Sequence, residues 1–294
     1  MDLLWLLEGV RSPFLNTVFG WITRFGEETI LIGIFCLMFW CINKRMAYVT
    51  GVAFFLSSLA VQGLKIVFRV PRPWVNDPSF SPVGGAVSAS TGYSFPSGHT
   101  QNAAAILGAL GIQVKQKSLK MILLTLPLLV ALSRMYLGVH YLTDVAVSLL
   151  LTFLIILFAR KVVTGDSVEP KSALLLSSFI IFCAMVVVVL ATYLYRNEIV
   201  TVSHLRDSTR AVGAAIGFAV GMYVECVYIG FSPKTKNLLT QIIKFILGVL
   251  GTVAVQQGGR LTGTGLVIDA VGYFLVVVWI TILYPMIIKR FFER

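Results

Sequence analysis

Lys65-Ile-Val-Phe-Arg-Val-Pro-Arg72-Pro73, then Pro96-Ser97-Gly98-His99, then Ser133-Arg134 followed by His140 and Asp144: these three polar clusters stand inside a chain that is otherwise strongly apolar. Each falls where an apolar run meets a polar connection. Pro71 and Pro73 end a helix that runs through Lys65, because proline lacks the amide donor and crowds the preceding turn. Ser97 is a good helix cap, and Gly98 lets the backbone approach a ligand closely. Arg134 closes one apolar run. His140 and Asp144, four residues apart, begin the next and share a helical face. The clusters therefore mark helix ends, and the segments between them read as helices.

Working outward, the 294 residues are 57% hydrophobic and 13% charged, with a mean hydropathy of +0.87. A soluble domain carries about 25% charge. Repeated apolar runs of about 20 residues read as transmembrane helices, so the expected fold is an all-α, polytopic membrane helix bundle. Asp2 and Glu8 stand where a cleavable signal peptide would carry basic residues, so none is expected. Cys36, Cys41, Cys183 and Cys226 all lie in apolar segments and form no CxxC or Cys/His cluster, which reads as packing and not as disulfides or a metal site. The formal charge of +11 suits the cytoplasmic ends of a polytopic protein and does not call for nucleic acid.

Residues 1–26, broken by Glu8, Arg11 and Pro13, read as an interfacial N-terminal helix; a full span over 3–22 would put Glu8 and Arg11 in lipid. Nine spans follow, at about 27–43, 46–68, 97–114, 119–138, 140–161, 173–195, 209–230, 238–256 and 266–288. Residues 70–96 form a Pro-, Gly- and Ser-rich loop. The chain divides into the N-terminal segment 1–26, a core of 27–195 with its site in 65–144, and additional C-terminal transmembrane helices in 196–294.

Alternating nine spans collects Lys44, Arg45, Lys115, Lys117, Lys120, Arg160, Lys161, Lys171, Lys234, Lys236, Lys244, Lys289, Arg290 and Arg294 on one face, fourteen of the 24 lysines and arginines. Three of the remaining cations, Lys65, Arg72 and Arg134, belong to the polar clusters. The positive-inside tendency then puts the C-terminus in the cytoplasm and all three clusters on the extracytoplasmic side.

The inventory suits phosphate. Arginine forks match two phosphate oxygens and lysine adds a mobile charge, so Lys65, Arg72 and Arg134 can hold a phosphoryl group. Ser97 and the Gly98 amide, at a helix N-terminus, add donors. Asp144 can fix the tautomer of His140 and leave its other nitrogen a better nucleophile, while His99 can protonate a departing oxygen. Such a site transfers phosphoryl groups without a metal or other cofactor.

Lys-x6-Arg-Pro, Pro-Ser-Gly-His and Ser-Arg-x5-His-x3-Asp, in this order, resemble the signature of the type 2 phosphatidic acid phosphatase and vanadium haloperoxidase superfamily. The resemblance implies a six-helix lipid phosphatase core, here with about three extra C-terminal spans. It implies that His140 attacks phosphorus to form a phosphohistidine, that Asp144 orients it, and that His99 is the acid. Lys65, Arg72, Ser97, Gly98 and Arg134 would bind the phosphate. Only one clear span precedes the helix carrying Lys65, where the six-span relatives have two. The longer C-terminal half is similar in layout to sphingosine-phosphate phosphatases.

The expected protein is a membrane lipid phosphatase or diphosphatase, acting on a lipid phosphate or a polyprenyl diphosphate. A phosphotransferase using the same His140, and a non-catalytic lipid-phosphate carrier or flippase, are the rivals. The absence of an Asn-x-Ser/Thr sequon points to a bacterial cytoplasmic membrane. Gly213, Gly217 and Gly221 make a close-packing face, either for the chain's own helices or for a homodimer. Glu225, inside an apolar span, is a functional suspect. His204 is expected as a surface residue in the sixth-to-seventh loop.

Overall fold

A computed structural model of the chain describes every residue except 89, 166, 167, 236, 262, 264, 293 and 294, and does not describe the side chain of Arg260. Lys236 and Arg294, assigned above to the basic face, therefore lie outside the described residues.

The described residues form helices and no strands. The first two helices, α1 (Asp2–Gly9) and α2 (Pro13–Thr23), are short; Ser12 caps α2 by accepting from the Leu15 amide, with Pro13 at the first helical position. Next come α3 (Glu28–Leu37), continued by a wide turn Met38–Ile42, and α4 (Lys44–Phe68), capped by Asn43. A single turn, α5 (Pro73–Asn76), interrupts the proline-rich loop. Then α6 runs through Gly98–Ala103, Ala104–Gly108 and Ala109–Gln113 without a break. The remaining helices are α7 (Lys117–Tyr136), α8 (Leu142–Val162), α9 (Pro170–Arg196), α10 (Val202–Val224, continued by Glu225–Ile229), α11 (Leu238–Leu261), and α12 (Leu266–Val278, continued through Trp279–Leu283 and Tyr284–Phe291).

Seven of the nine expected spans are helices long and apolar enough to cross a membrane. The first expected span is instead the second limb of a bent pair, Pro13–Gly26 with Glu28–Ile42, kinked by 49°. The third, α6, is about 24 Å long at ~1.5 Å per residue, short of a ~30 Å hydrocarbon layer. It is compensated by burial, since Thr100 through Gly111 are all buried in the bundle. The seventh starts at Val202 and not near 209, which carries His204 out of the expected surface loop into the first turn of a half-buried helix.

Helix α4 is the axis. Residues Ala47–Ala53 are buried as a continuous run, and α6, α8, α9 and α10 all pack on it. A helix apolar all round belongs in the middle of a bundle. Helices α11 and α12 lie outside, with α12 packed along α10. The glycine face of α10 makes that contact: a Cβ at Gly213, Gly217 or Gly221 would strike Ala270 O, Phe274 O or Thr281 Oγ1 of α12. The chain's own helix thus occupies the face that small residues offered to a second copy.

Helices α1 and α2 pack across the C-terminal end of α7, where Arg11 donates from Nε to Tyr136 O (3.1 Å) and from Nη1 to Ser81 O. The basic residues at the α3/α4, α6/α7, α8/α9 and C-terminal junctions lie at the opposite end of the helices from Lys65, Gly98, Arg134 and His140.

Candidate active site

The chain brings the three clusters together by ending or beginning four helices in one place. Helix α4 stops one turn after Lys65, with Arg69 in the left-handed region (φ 49°) and its amide on Lys65 O (3.0 Å). Extended backbone at Arg72 then turns its side chain inward. Helix α7 ends just beyond Arg134, and Gly138 (φ 78°) turns the chain so that His140 precedes α8. That conformation suits glycine, and a side chain there would also meet Phe80 and Arg11.

Arg72 and His140 are in contact, with Nη1 of Arg72 2.8 Å from Nε2 of His140. Arg72 also donates to Val139 O (2.8 Å), Thr91 O (2.8 Å) and Gly92 O (3.1 Å). On its other side, His140 Nδ1 lies 3.2 Å from Asp144 Oδ2, which also accepts from the Ser94 hydroxyl and from the Tyr141 amide at 2.9 Å. A guanidinium can only donate, so Nε2 must accept; the carboxylate can only accept, so Nδ1 carries the proton. Burial, and after it the charges of Arg72, Arg134 and Lys65, hold His140 well below the ordinary histidine pKa. The result is a neutral imidazole of fixed tautomer whose lone pair faces cations.

Arg134 is buried and donates to Thr23 Oγ1 (2.9 Å) and Ser90 Oγ (2.6 Å), while its Nε has no partner. Asp144 Oδ1 is a second buried orphan. Ser97 caps α6, accepting from the Thr100 amide (3.5 Å) and hydroxyl (3.0 Å), which leaves its own O–H to donate; its amide bonds Asp144 O at 3.2 Å. Open space surrounds Gly98 where a side chain would project. Among the described residues, Lys65 and His99 have no side-chain hydrogen bond or ion pair. The charges of Lys65, Arg72 and Arg134 nevertheless reach both histidines. No group of three His, Cys, Asp or Glu side chains among the described residues could hold a metal ion.

Several contacts carry no signal in the sequence. The composition of 70–96 marks a loop but not that Ser90, Thr91, Gly92 and Ser94 fold back as a strap over Arg134, Arg72 and Asp144. Thr23, 111 residues from Arg134, has no local pattern that would pair it.

Comparison with known proteins gives a consistent picture. A family described as the PAP2 superfamily matches residues 44–166, and one described as PAP2 superfamily phosphatase, transmembrane extension, matches 209–293. The chain is 31% identical over 169 residues to phosphatidylglycerophosphatase B of Bacillus subtilis (strain 168), covering 52% of this chain and 79% of that one. It is 25% identical over 270 residues to sphingosine-1-phosphate phosphatase 2 of Mus musculus, covering 84% of this chain and 73% of the relative. Among solved structures, that of Aquifex aeolicus LpxE aligns with a TM-score of 0.48 at 26% identity, over 54% of this chain and 93% of that one.

Proposed function

The chain belongs to the PAP2 superfamily and is an integral membrane lipid phosphatase of that type; on that premise we propose that it dephosphorylates lipid phosphomonoesters or diphosphates through a phosphohistidine on His140, without a metal. The observation that carries this reading is the pairing of His140, Nδ1 on Asp144 and Nε2 against Arg72. When a phosphate takes the guanidinium, Nε2 is released in line with the bound phosphorus. Lys65, Arg72, Arg134, the Ser97 hydroxyl and the Gly98 amide neutralise the phosphoryl oxygens as charge develops. The unpartnered Arg134 Nε gives one of those oxygens a donor. Nε2 bonds to phosphorus, the P–O bond to the lipid breaks, and His99, which takes up a proton once the bound phosphate offsets the neighbouring cations, passes that proton to the departing oxygen. Water, deprotonated by His99, then cleaves the P–N bond and restores His140.

The site would face the extracytoplasmic side, since the opposite end of the bundle collects the basic junctions. A lipid phosphomonoester fits the names of both relatives, phosphatidylglycerophosphatase and sphingosine-1-phosphate phosphatase. The test is phosphate release by the purified protein from a panel of lipid phosphates and a polyprenyl diphosphate in EDTA, with trapping of labelled enzyme. Release that stops on chelation, or that persists in His140→Ala, overturns the mechanism. Transfer of label to added alcohols in preference to water would make it a phosphotransferase.

A further inference from the structure

The C-terminal extension meets the loop beside the site at His204. Helix α10 begins between the two family matches, and its first turn carries His204. The His204 ring stacks on Tyr93, with centroids 4.1 Å apart and planes at 22°. It also lies against Gly92, where an added Cβ would sit 3.5 Å from His204 Cδ2. Its Nδ1 is fixed by Thr201 Oγ1 at 2.7 Å, and its Nε2 is buried. The histidine is thus held from its own helix and pressed face-on against the strap.

The strap is what orders the catalytic cations. Thr91 O and Gly92 O take the Nη2 and Nε donors of Arg72. Ser94 donates its hydroxyl to Asp144 and its amide to Val70 O (2.8 Å). Tyr93 lies between these pairs and packs beside Ile66, Leu194, Val200 and Leu205. An arginine side chain has many rotamers to lose, and a misplacement of about 1 Å can cost about 10²-fold in rate. Two carbonyls can fix Arg72 only if the strap that carries them is itself fixed. Asp207, one turn along from His204, adds a charge that reaches Lys65.

We propose that His204 is a positioning residue of the active site: by stacking on Tyr93 it sets the strap 91–94, and through the Thr91 and Gly92 carbonyls it aims Arg72 at the phosphate and at His140. The inference rests on the reading of Arg72 as a phosphate ligand. It makes the extension part of the catalytic unit.

The experiment compares His204→Ala, His204→Phe and Tyr93→Ala in the full-length purified protein, alone and in an Arg72→Lys background. Turnover, thermal midpoint and single-turnover phosphoenzyme formation are read, the last because it needs only one event in slow variants. His204→Ala should lower kcat about 10- to 100-fold with little change in thermal midpoint, and His204→Phe, which keeps a stacking ring, should restore most of it. His204→Ala with Tyr93→Ala should cost no more than the worse single change. Lysine lacks the fork that engages both carbonyls, so in the Arg72→Lys background His204→Ala should cost less than about twofold. Unchanged kcat in His204→Ala, or a loss as large in the Arg72→Lys background as with arginine, overturns the positioning role. Full activity of Arg72→Lys overturns the phosphate-site reading beneath it.

Discussion

The two ends of α4 carry opposite kinds of buried polar network. At the Lys44 end, Glu225 is wholly buried, and every charge is answered. Lys44 Nζ lies 2.5 Å from Glu225 Oε1 and donates to Phe231 O at 3.1 Å, the Phe231 amide reaches the same carboxylate oxygen at 3.1 Å, and the Tyr48 hydroxyl takes the other. The ammonium also lies 4.8 Å from the centre of the Phe231 ring. At the Lys65 end, Lys65, Arg72 and Arg134 gather near Asp144 and Asp207, and among the described residues the Lys65 side chain makes no hydrogen bond while Arg134 Nε and Asp144 Oδ1 have no partner. Buried charge is tolerated when paired and costs several kcal/mol when it is not. The closed network therefore ties α4 to α10, and Glu225, suspect from sequence, has its carboxylate fully partnered there. The open one keeps donors without partners, the feature on which the proposed phosphate-binding role rests.

That contrast can be broken experimentally. The largest effect expected is at the open end, where His140→Ala should lower phosphate release by at least ~10³-fold in the protein that remains folded, since it removes the proposed nucleophile. Comparable residual turnover would mean that the open end is not catalytic. His99→Ala should cost ~10²-fold or more, and less for substrates with good leaving groups than for poor ones; equal losses across a leaving-group series would remove its role as the acid. The closed end should behave the other way. Glu225→Ala strands Lys44 in the interior, which destabilises by about 3–5 kcal/mol on breaking a buried pair. It should lower the thermal midpoint clearly while the folded fraction keeps its KM. A kinetic defect without a stability defect would return Glu225 to the functional list. Smallest is Ser94→Ala, which removes one of three donors to Asp144 Oδ2. About tenfold in kcat is expected, and no change would show that the Tyr141 amide and His140 alone orient the carboxylate.

Much of this molecule is legible before folding. Apolar runs, the prolines after Lys65 and the cap before α6 locate most helix ends, because those signals act within one or two turns. The motif residues are legible too as candidates, since their types and order at helix ends carry the family resemblance. What failed to read were pairs with long separations. Glu225 looked functional because its partner Lys44 lies 181 residues away. His204 looked like a surface loop because the extra turn of α10 is formed by packing against Tyr93 and the cluster around Leu205, not by any strong local start signal. The glycine face of α10 left packing within the chain and a second copy both open, and its fit against Ala270, Phe274 and Thr281 shows the chain's own helix on it.

By itself the sequence determined an all-α membrane bundle, the ends of most of its helices, and a candidate set of side chains for holding and transferring a phosphoryl group. These follow from hydrophobic periodicity, backbone chemistry and side-chain type, all local. Only the tertiary structure decided that Arg72 rests on His140, that the Pro-, Gly- and Ser-rich loop supplies carbonyls to its guanidinium, and that the two ends of one helix carry differently satisfied polar networks. Those outcomes depend on which distant groups satisfy one another once water is excluded, and no short-range pattern encodes that choice.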